Sequence, residues 1–233
     1  GQRQVIFFEG FEDELVDWSL DGEWGPTSDA ATGEFALSDS PEGEYQEAQE
    51  SMAELNRFIN LSYLNSPIVE FKAKWDIESN WDFVRFQANV QGLGWVSLTG
   101  RYTELGSGQP AQPFGEPGYD GVQSEWVNEM IFLDQLNGVE ILGFRFIQTS
   151  DNLVEGDGFT IDDLSMSGFL TGTMGDYNLD TLVDIYDLLA IADVLLFGGE
   201  PSPSQLFFCD LDGNGVLDIM DLVAISNVIL DIQ

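Results

Sequence analysis

The chain contains no histidine and a single cysteine. The first absence removes Ser-His-Asp and Cys-His catalysis, histidine general bases and imidazole-bound zinc together. Cys209 has no partner for an intrachain disulfide. It lies beside Phe207 and Phe208, directly before an acidic stretch, and reads as a small buried hydrophobe, because nearby carboxylates raise a thiol's pKa. Basic residues are scarce too: 7 Lys and Arg face 42 Asp and Glu, for a net charge of −35. Nothing basic follows Arg145. Nucleic acid and anionic membrane surfaces are therefore not expected partners, since both need Lys and Arg to neutralise phosphate. No run of about 18 apolar residues occurs, so membrane insertion is not expected either. Self-repulsion on this scale calls for bound cations or high salt, which a calcium-rich extracellular setting or a halophilic source would supply. The start, Gly1-Gln-Arg-Gln-Val-Ile-Phe-Phe, enters a strand-like pattern at once and lacks a signal-peptide layout. It reads as a mature fragment, with an export signal, and room for a catalytic domain, upstream.

What is present is enough for a core, at 43% hydrophobic and 12% aromatic residues. From Val5 to about Phe169 short apolar or alternating runs recur between turn residues: Val5–Phe8, Phe35–Leu37, Ile68–Trp75, Phe83–Val90, Trp95–Leu98, Val139–Ile147 and Phe159–Met166. Val69, Phe71, Ala73 and Trp75 alternate with Glu70, Lys72 and Lys74, the period of a half-buried strand. This pattern predicts an antiparallel β-sandwich. Gln46–Phe58 could be helical, and inside a sandwich reads as a loop with a turn of helix. Ser107–Gly121, with Pro110, Pro113 and Pro117, reads as a long surface loop without regular structure, either a tolerated insertion or a binding loop carrying Phe114 and Tyr119.

The tail carries two copies of one acidic pattern, 34 residues apart. Asp176, Asn178, Asp180, Asp184 and Asp187 hold positions 1, 3, 5, 9 and 12 of the first; Asp210, Asp212, Asn214, Asp218 and Asp221 hold them in the second. That is the oxygen-ligand spacing of a calcium loop, with the Leu182 and Val216 carbonyls at position 7. Gly215 stands at the sharp turn of the second loop, and Thr181 takes its place in the first, which predicts strain there. Each loop runs into an apolar helical stripe: Leu188, Leu189, Ile191, Ala192, Leu195 and Leu196, stopped by Gly198-Gly199; then Leu222, Val223, Ile225, Val228 and Ile229. The two stripes are expected to pack together, with Pro201 and Pro203 keeping the segment between them extended.

Paired loops closed by Asp, each followed by one helix with none before it, resemble a type I dockerin. The resemblance covers about residues 173–233. It implies two Ca²⁺ ions and calcium-dependent binding to a cohesin module that anchors an extracellular enzyme. It also implies that loop positions 10 and 11, here Ile185, Tyr186, Ile219 and Met220, meet the cohesin. The preceding domain is similar to a MAM-like jelly roll found after secreted bacterial peptidases, including immune inhibitor A-type proteins. The similarity lies in Phe8-Glu-Gly-Phe-Glu12, Trp18, Gly22-Glu-Trp24-Gly, Ser38-Asp39-Ser-Pro41, Lys74-Trp-Asp-Ile-Glu78 and Asp157-Gly-Phe-Thr-Ile-Asp162-Asp163. It implies a structural calcium at Glu12, Asp39 and Asp163, with Glu78, Asp82 and Asp157 as further members of that or a second site. Carbohydrate-binding jelly rolls share the Phe-Glu start and the Ile-Asp-Asp end.

The expectation is thus a mostly β chain, an antiparallel jelly-roll sandwich over 1–170, then a small all-α domain of two EF-hand-like loop–helix repeats over 171–233. Paired carboxylates are all a glycosidase needs, but no distinctive acid/base constellation stands out, and no catalytic residue is assigned. The chain reads as a noncatalytic, secreted C-terminal region that anchors a hydrolase, a peptidase by resemblance, to a cohesin. The alternative is a polysaccharide-binding module tethered through a dockerin.

Overall fold

The computed structural model describes residues 3–57, 61, 63–136 and 141–230. The strands are β1 (Gln4–Glu9), β2 (Trp18–Asp21), β3 (Gly25–Thr27), β4 (Ala36–Ser38), β5 (Glu50–Leu55), β6 (Leu64–Ile77) and β7 (Phe83–Val90). They continue with β8 (Gly94–Ser97), β9 (Glu104–Leu105), β10 (Pro117–Gly118), β11 (Gly121–Phe132), β12 (Ile141–Thr149) and β13 (Gly158–Leu170). Three helices follow, α1 (Ile185–Phe197), α2 (Pro203–Cys209) and α3 (Ile219–Ile229). The chain divides into two compact units, one of residues 2–61 and 66–169, and a smaller one of residues 62–65 and 170–233.

The larger unit is the antiparallel sandwich. One sheet runs β11-β6-β13-β4-β3, with β1 also paired to β13, and the other runs β2-β5-β12-β7-β8. Alternation along the strands sends rings from both sheets into one core. Phe86 and Phe146 of the second sheet meet at 4.6 Å between ring centroids, and Phe71 of the first reaches Phe146 at 5.3 Å. Trp75, Tyr119 and Phe159 extend the cluster. Trp18, Trp24 and Trp75 are buried in it, whereas Trp81 is exposed.

Gln46–Phe58 is not helical. Its described residues include β5, a central strand between β2 and β12, while Phe58 lies outside the described residues. The segment Glu50-Ser-Met-Ala-Glu-Leu55 is built from helix formers, but Ser51, Ala53 and Leu55 are buried in alternation, and pairing on both edges overrides propensity. The strand expected at Val139–Ile147 begins in the description at Ile141; Val139 lies outside it. In the 107–121 loop, Pro117–Gly118 makes a two-residue pairing with β9, a bridge short enough to tolerate proline. Phe114 is exposed there, but Tyr119 is buried in the core, where its hydroxyl donates to Glu129 at 3.0 Å.

In the smaller unit α1 and α3 pack on one another, with Ile191 and Ile225 buried. The expected single buried stripe is not what forms. Leu189, Leu195, Leu196, Val223 and Val228 are exposed. The segment after Pro201 is also helical rather than extended: Pro203 takes the first turn of α2, where its missing N–H costs nothing, and Ser202 caps it by accepting from Gln205 N at 3.3 Å. A short helix therefore does precede the second loop. Tyr63 stacks on Phe207 within this unit, at 3.8 Å between centroids.

Candidate functional site

The two acidic loops fold by one hydrogen-bond scheme. At the entrance, Asp176 accepts from Asp180 N (3.1 Å) and Thr181 N (2.8 Å); Asp210 accepts from Asn214 N (3.1 Å) and Gly215 N (2.8 Å). Asn178 accepts from Asp180 N at 2.9 Å, as Asp212 does from Asn214 N at 3.1 Å. Asp180 accepts from Leu182 N at 2.9 Å, as Asn214 does from Val216 N at 2.8 Å. These side chains turn the chain back on itself and gather oxygens inside the turn.

Closure is supplied by the first helical turn. Asp184 and Asp218 are N-caps, accepting from Tyr186 N (2.8 Å) and Met220 N (2.6 Å). Asp187 and Asp221 complete capping boxes, taking Asp184 N at 2.8 Å and Asp218 N at 2.9 Å. Their other oxygens reach back across the loop to Tyr177 N (2.9 Å) and Leu211 N (2.8 Å). Asp176, Asp187 and Asp221 are fully buried, and the carboxylates of Asp210, Asp212 and Asp221 come within 4.8 Å of one another. The Leu182 and Val216 side chains point to solvent, so that only their carbonyls could contribute.

The donor set fits calcium. It is all oxygen, four Asp and one Asn in each loop, with no nitrogen or sulfur ligand of the kind zinc prefers. Cys209 lies between the loops, fully buried. Burial first, and then Asp187, Asp176 and Asp221, push its thiol up to about 12. Thr181 adopts φ 78° and Leu179 φ 60°, where the second loop has Gly215 at 83° and Gly213 at 72°. Ile185, Tyr186, Ile219 and Met220 open α1 and α3 and are 56–65% exposed.

The sandwich carboxylates are arranged differently from the expected trio. Glu12 accepts from Glu34 N (2.9 Å) and Phe35 N (3.2 Å). Asp163 pairs with Lys72 at 2.7 Å and accepts from Thr32 Oγ1 at 2.8 Å. Asp39 is fully buried, accepting from Phe159 N and Ser40 Oγ at 2.8 Å each through Oδ1, while its Oδ2 has no hydrogen-bond partner. Burial, with a smaller push from Asp157, raises its carboxyl to about 7. The three are held by separate partners.

Glu78 and Asp82 are brought together instead with Asp151, their oxygens within 4.8 Å of one another. Asp82 accepts from Tyr45 Oη at 2.8 Å and Asp151 N at 2.7 Å. Desolvation, the larger cause in each case, raises the pKa of both Glu78 and Asp82; Asp82 and Asp151 add to it at Glu78, and Asp151 and Glu155 at Asp82. Asp151 carries no sequence signal for this cluster, because it comes from the loop after β12 while Glu78 and Asp82 share the loop between β6 and β7. Asp157 sits beside Asp39, with Ser40 Oγ donating to its carbonyl at 2.8 Å.

A second feature lies on the outer face of the five-stranded sheet. Registers align Ser19, Glu54, Arg145, Gln87 and Ser97 in one polar row across all five strands. Arg145 Nε donates to Gln87 at 2.8 Å, Gln87 to Ser97 at 3.0 Å, and Ser97 to Glu116 at 2.7 Å. Arg85 also meets Glu116, at 3.2 Å, and the Arg145 guanidinium lies 4.2 Å from the Trp95 ring centre. Alternation alone could have pointed to this row, but not to its register.

Residues 174–230 match the family model described as the dockerin type I domain, a family that binds calcium. No curated protein matches the chain. Among solved structures, the chain is similar to the CBM22-1 xylan-binding domain of Xyn10C from Paenibacillus barcinonensis (13% identity, 72% of this chain and 96% of that one, TM-score 0.43). Another is the C-terminal family 22 carbohydrate-binding module of Clostridium thermocellum Xyn10B (13% identity, 76% and 96%, TM-score 0.41). A third is the K3 cleaved adhesin domain of Lys-gingipain from Porphyromonas gingivalis W83 (11% identity, 71% and 99%, TM-score 0.42). No helix among the described residues is long and apolar enough to cross a membrane.

Proposed function

We propose that the smaller unit, residues 170–233, is a calcium-dependent anchor that docks on a cohesin module, and that the chain is a noncatalytic part of a secreted multimodular protein. The observation that carries this reading is the repetition of one hydrogen-bond scheme in two loops, each ending in a capped helix whose first residues are apolar and exposed. Asp176, Asn178, Asp180, Asp184, Asp187 and the Leu182 carbonyl would hold one Ca²⁺. Asp210, Asp212, Asn214, Asp218, Asp221 and the Val216 carbonyl would hold the other. The ions would act as folding ligands, offsetting the repulsion of eight clustered carboxylates. Titration calorimetry of the full chain against type I cohesin modules tests this. Binding in calcium that vanishes with chelator is expected, and binding indifferent to chelator would overturn it.

For the sandwich the reading supported best is carbohydrate binding rather than a peptidase-borne module. The polar row with Trp95 stacked on Arg145 presents an aromatic ring beside paired donors and acceptors, which suits a sugar ring and its hydroxyls. Glycan-array binding by the full chain, lost in Trp95→Ala with the fold intact, is the expected result. Binding unaffected by Trp95→Ala would move the site elsewhere.

A further inference from the structure

Trp81 is 42% exposed, whereas Trp18, Trp24 and Trp75 are buried and Trp95 and Trp126 are partly covered. It lines an open groove of about 480 Å³ at one end of the sandwich. Four segments meet there: the approach to β5, the turn between β6 and β7, the 107–121 loop and the exit from β12. Trp81 and Pro110 give the groove its apolar lining, while Gln49, Glu50, Asp151 and Asn152 supply amides and carboxylates.

Hydrogen bonds hold this groove in shape. Ser107 Oγ donates to Asn80 O and Gln112 Nε2 to Asp82 O, at 2.8 Å each, so the proline-rich loop is fastened to the chain on both sides of Trp81. Thr149 Oγ1 donates to Ala111 O at 2.6 Å, and Asp151 N to Asp82 Oδ1 at 2.7 Å. The long loop is therefore a fixed part of the groove and not a slack insertion, and an indole held this way loses little freedom on meeting a ligand. One donor is left over. Gln49 Nε2 is buried and has no acceptor among the described residues. A buried amide without an acceptor is costly, and a ligand oxygen beside it would remove that cost.

The lining also sets the ligand's chemistry. An exposed indole face covers the C–H face of a sugar ring, and amides and carboxylates bond its hydroxyls. No Lys or Arg lines the groove, and Glu50 and Asp151 would repel a uronate. We propose that this groove is a second sugar-binding site, taking a neutral, hydroxyl-rich oligosaccharide stacked on Trp81. The class of ligand rests on the carbohydrate reading of the sandwich; the place does not. β7 carries the chain about 20 Å from Phe83, two residues after Trp81, to Asn89, the strand partner of Trp95. A trisaccharide is too short to bridge the two rings, so each site can be tested alone.

The experiment titrates the full chain in calcium with xylotriose, cellotriose and mannotriose, and with trigalacturonate as the acidic comparison. Calorimetry reads affinity and stoichiometry, and oxidation by N-bromosuccinimide, mapped by mass spectrometry, reads which tryptophan each sugar covers. A neutral trisaccharide should slow oxidation of Trp81 at least ~5-fold at saturation. Trp81→Ala should lower affinity at that site at least ~10-fold with unchanged circular dichroism, since the ring is exposed. Protection and loss confined to Trp95 would overturn this site and leave the carbohydrate reading standing. Preference for trigalacturonate would overturn the neutral class. Absence of binding by all three neutral sugars would overturn the carbohydrate reading and this inference with it. The oxidation map uses the unaltered chain, so a folding failure cannot obscure the answer.

Discussion

Loop 176–187 and loop 210–221 place matching acceptors under matching amides, yet the first bends through Leu179 and Thr181 where the second bends through Gly213 and Gly215. A left-handed backbone costs an L-residue roughly 1–2 kcal/mol, and the β-branch of Thr181 adds crowding. Charge does not separate the loops, because each carries four Asp and one Asn, with positions 3 and 5 exchanged. Enclosure does: Asp176 and Tyr177 are buried at the entrance to the first, while Asp210 and Leu211 are only partly covered. One loop is strained and enclosed, the other relaxed and open. The same ligand pattern can thus be built on different backbone energies, and affinity should follow the backbone.

The sharpest way to break the comparison is to remove its common element. Asp187→Ala and Asp221→Ala each strand two backbone amides of their loop and delete a proposed calcium ligand. Both should lower unfolding stability in calcium by about 3 kcal/mol or more, read by urea denaturation. Equal calcium stoichiometry in variant and parent would refute their role as closing ligands. Next in size is metal withdrawal. Stepwise chelation should empty the first loop before the second, giving two transitions by calorimetry; simultaneous loss would mean that strain is not what separates them.

A smaller effect is expected from Thr181→Gly. It relieves about 1–2 kcal/mol of strain but adds about 0.5–1 kcal/mol of backbone entropy to the unfolded chain, for a net gain near 1 kcal/mol. Calcium affinity at that loop should then rise by up to about fivefold, and Gly215→Thr should do the reverse. Smallest is a reactivity difference. Cys209 should resist Ellman's reagent at pH 8 in calcium and react once the loops are emptied; prompt reaction in calcium would contradict its burial.

Outside the tail, one titration can be assigned a sign. Asp39 has its folded pKa raised from 3.8 to about 7, so the native state holds that proton more tightly than the unfolded chain. Stability from this group is present below about pH 4 and is lost as pH rises through about 7. Asp39→Asn keeps an acceptor for Phe159 N and should flatten the dependence of the urea midpoint between pH 5 and 7. An unchanged slope would assign the pH dependence to other carboxylates.

Local patterns were legible and non-local ones were not. Phe83–Val90 reads as a strand from its short apolar run and forms β7 over that same span. The calcium-loop spacing is contained in twelve residues, so nothing distant has to be known to recognise it. β5 is hidden by its helix-forming residues, and β11 by a register shift between Gln123 and Val127 that breaks its alternation. Glu78, Asp82 and Asp151 meet because the loop between β6 and β7, which carries the first two, converges with the loop after β12. No spacing along the chain encodes that meeting. The expected grouping of Glu12, Asp39 and Asp163 relied on family likeness for the same kind of long-range fact.

The bonds from Asp187 to Tyr177 N and from Asp221 to Leu211 N turn each loop into a ring fastened across ten residues of chain. A ring of that size has no slack. Inserting or removing one residue between the fastening points would rotate every later oxygen away from the centre and unseat the helix that follows. The stretch between α1 and α2 is under no such constraint, as Gly198 and Gly199 are exposed and the segment ends at the Ser202 cap. Length should therefore be invariant inside the two rings and free between them, so that a tag or probe placed after Gly199 is carried without disturbing either loop.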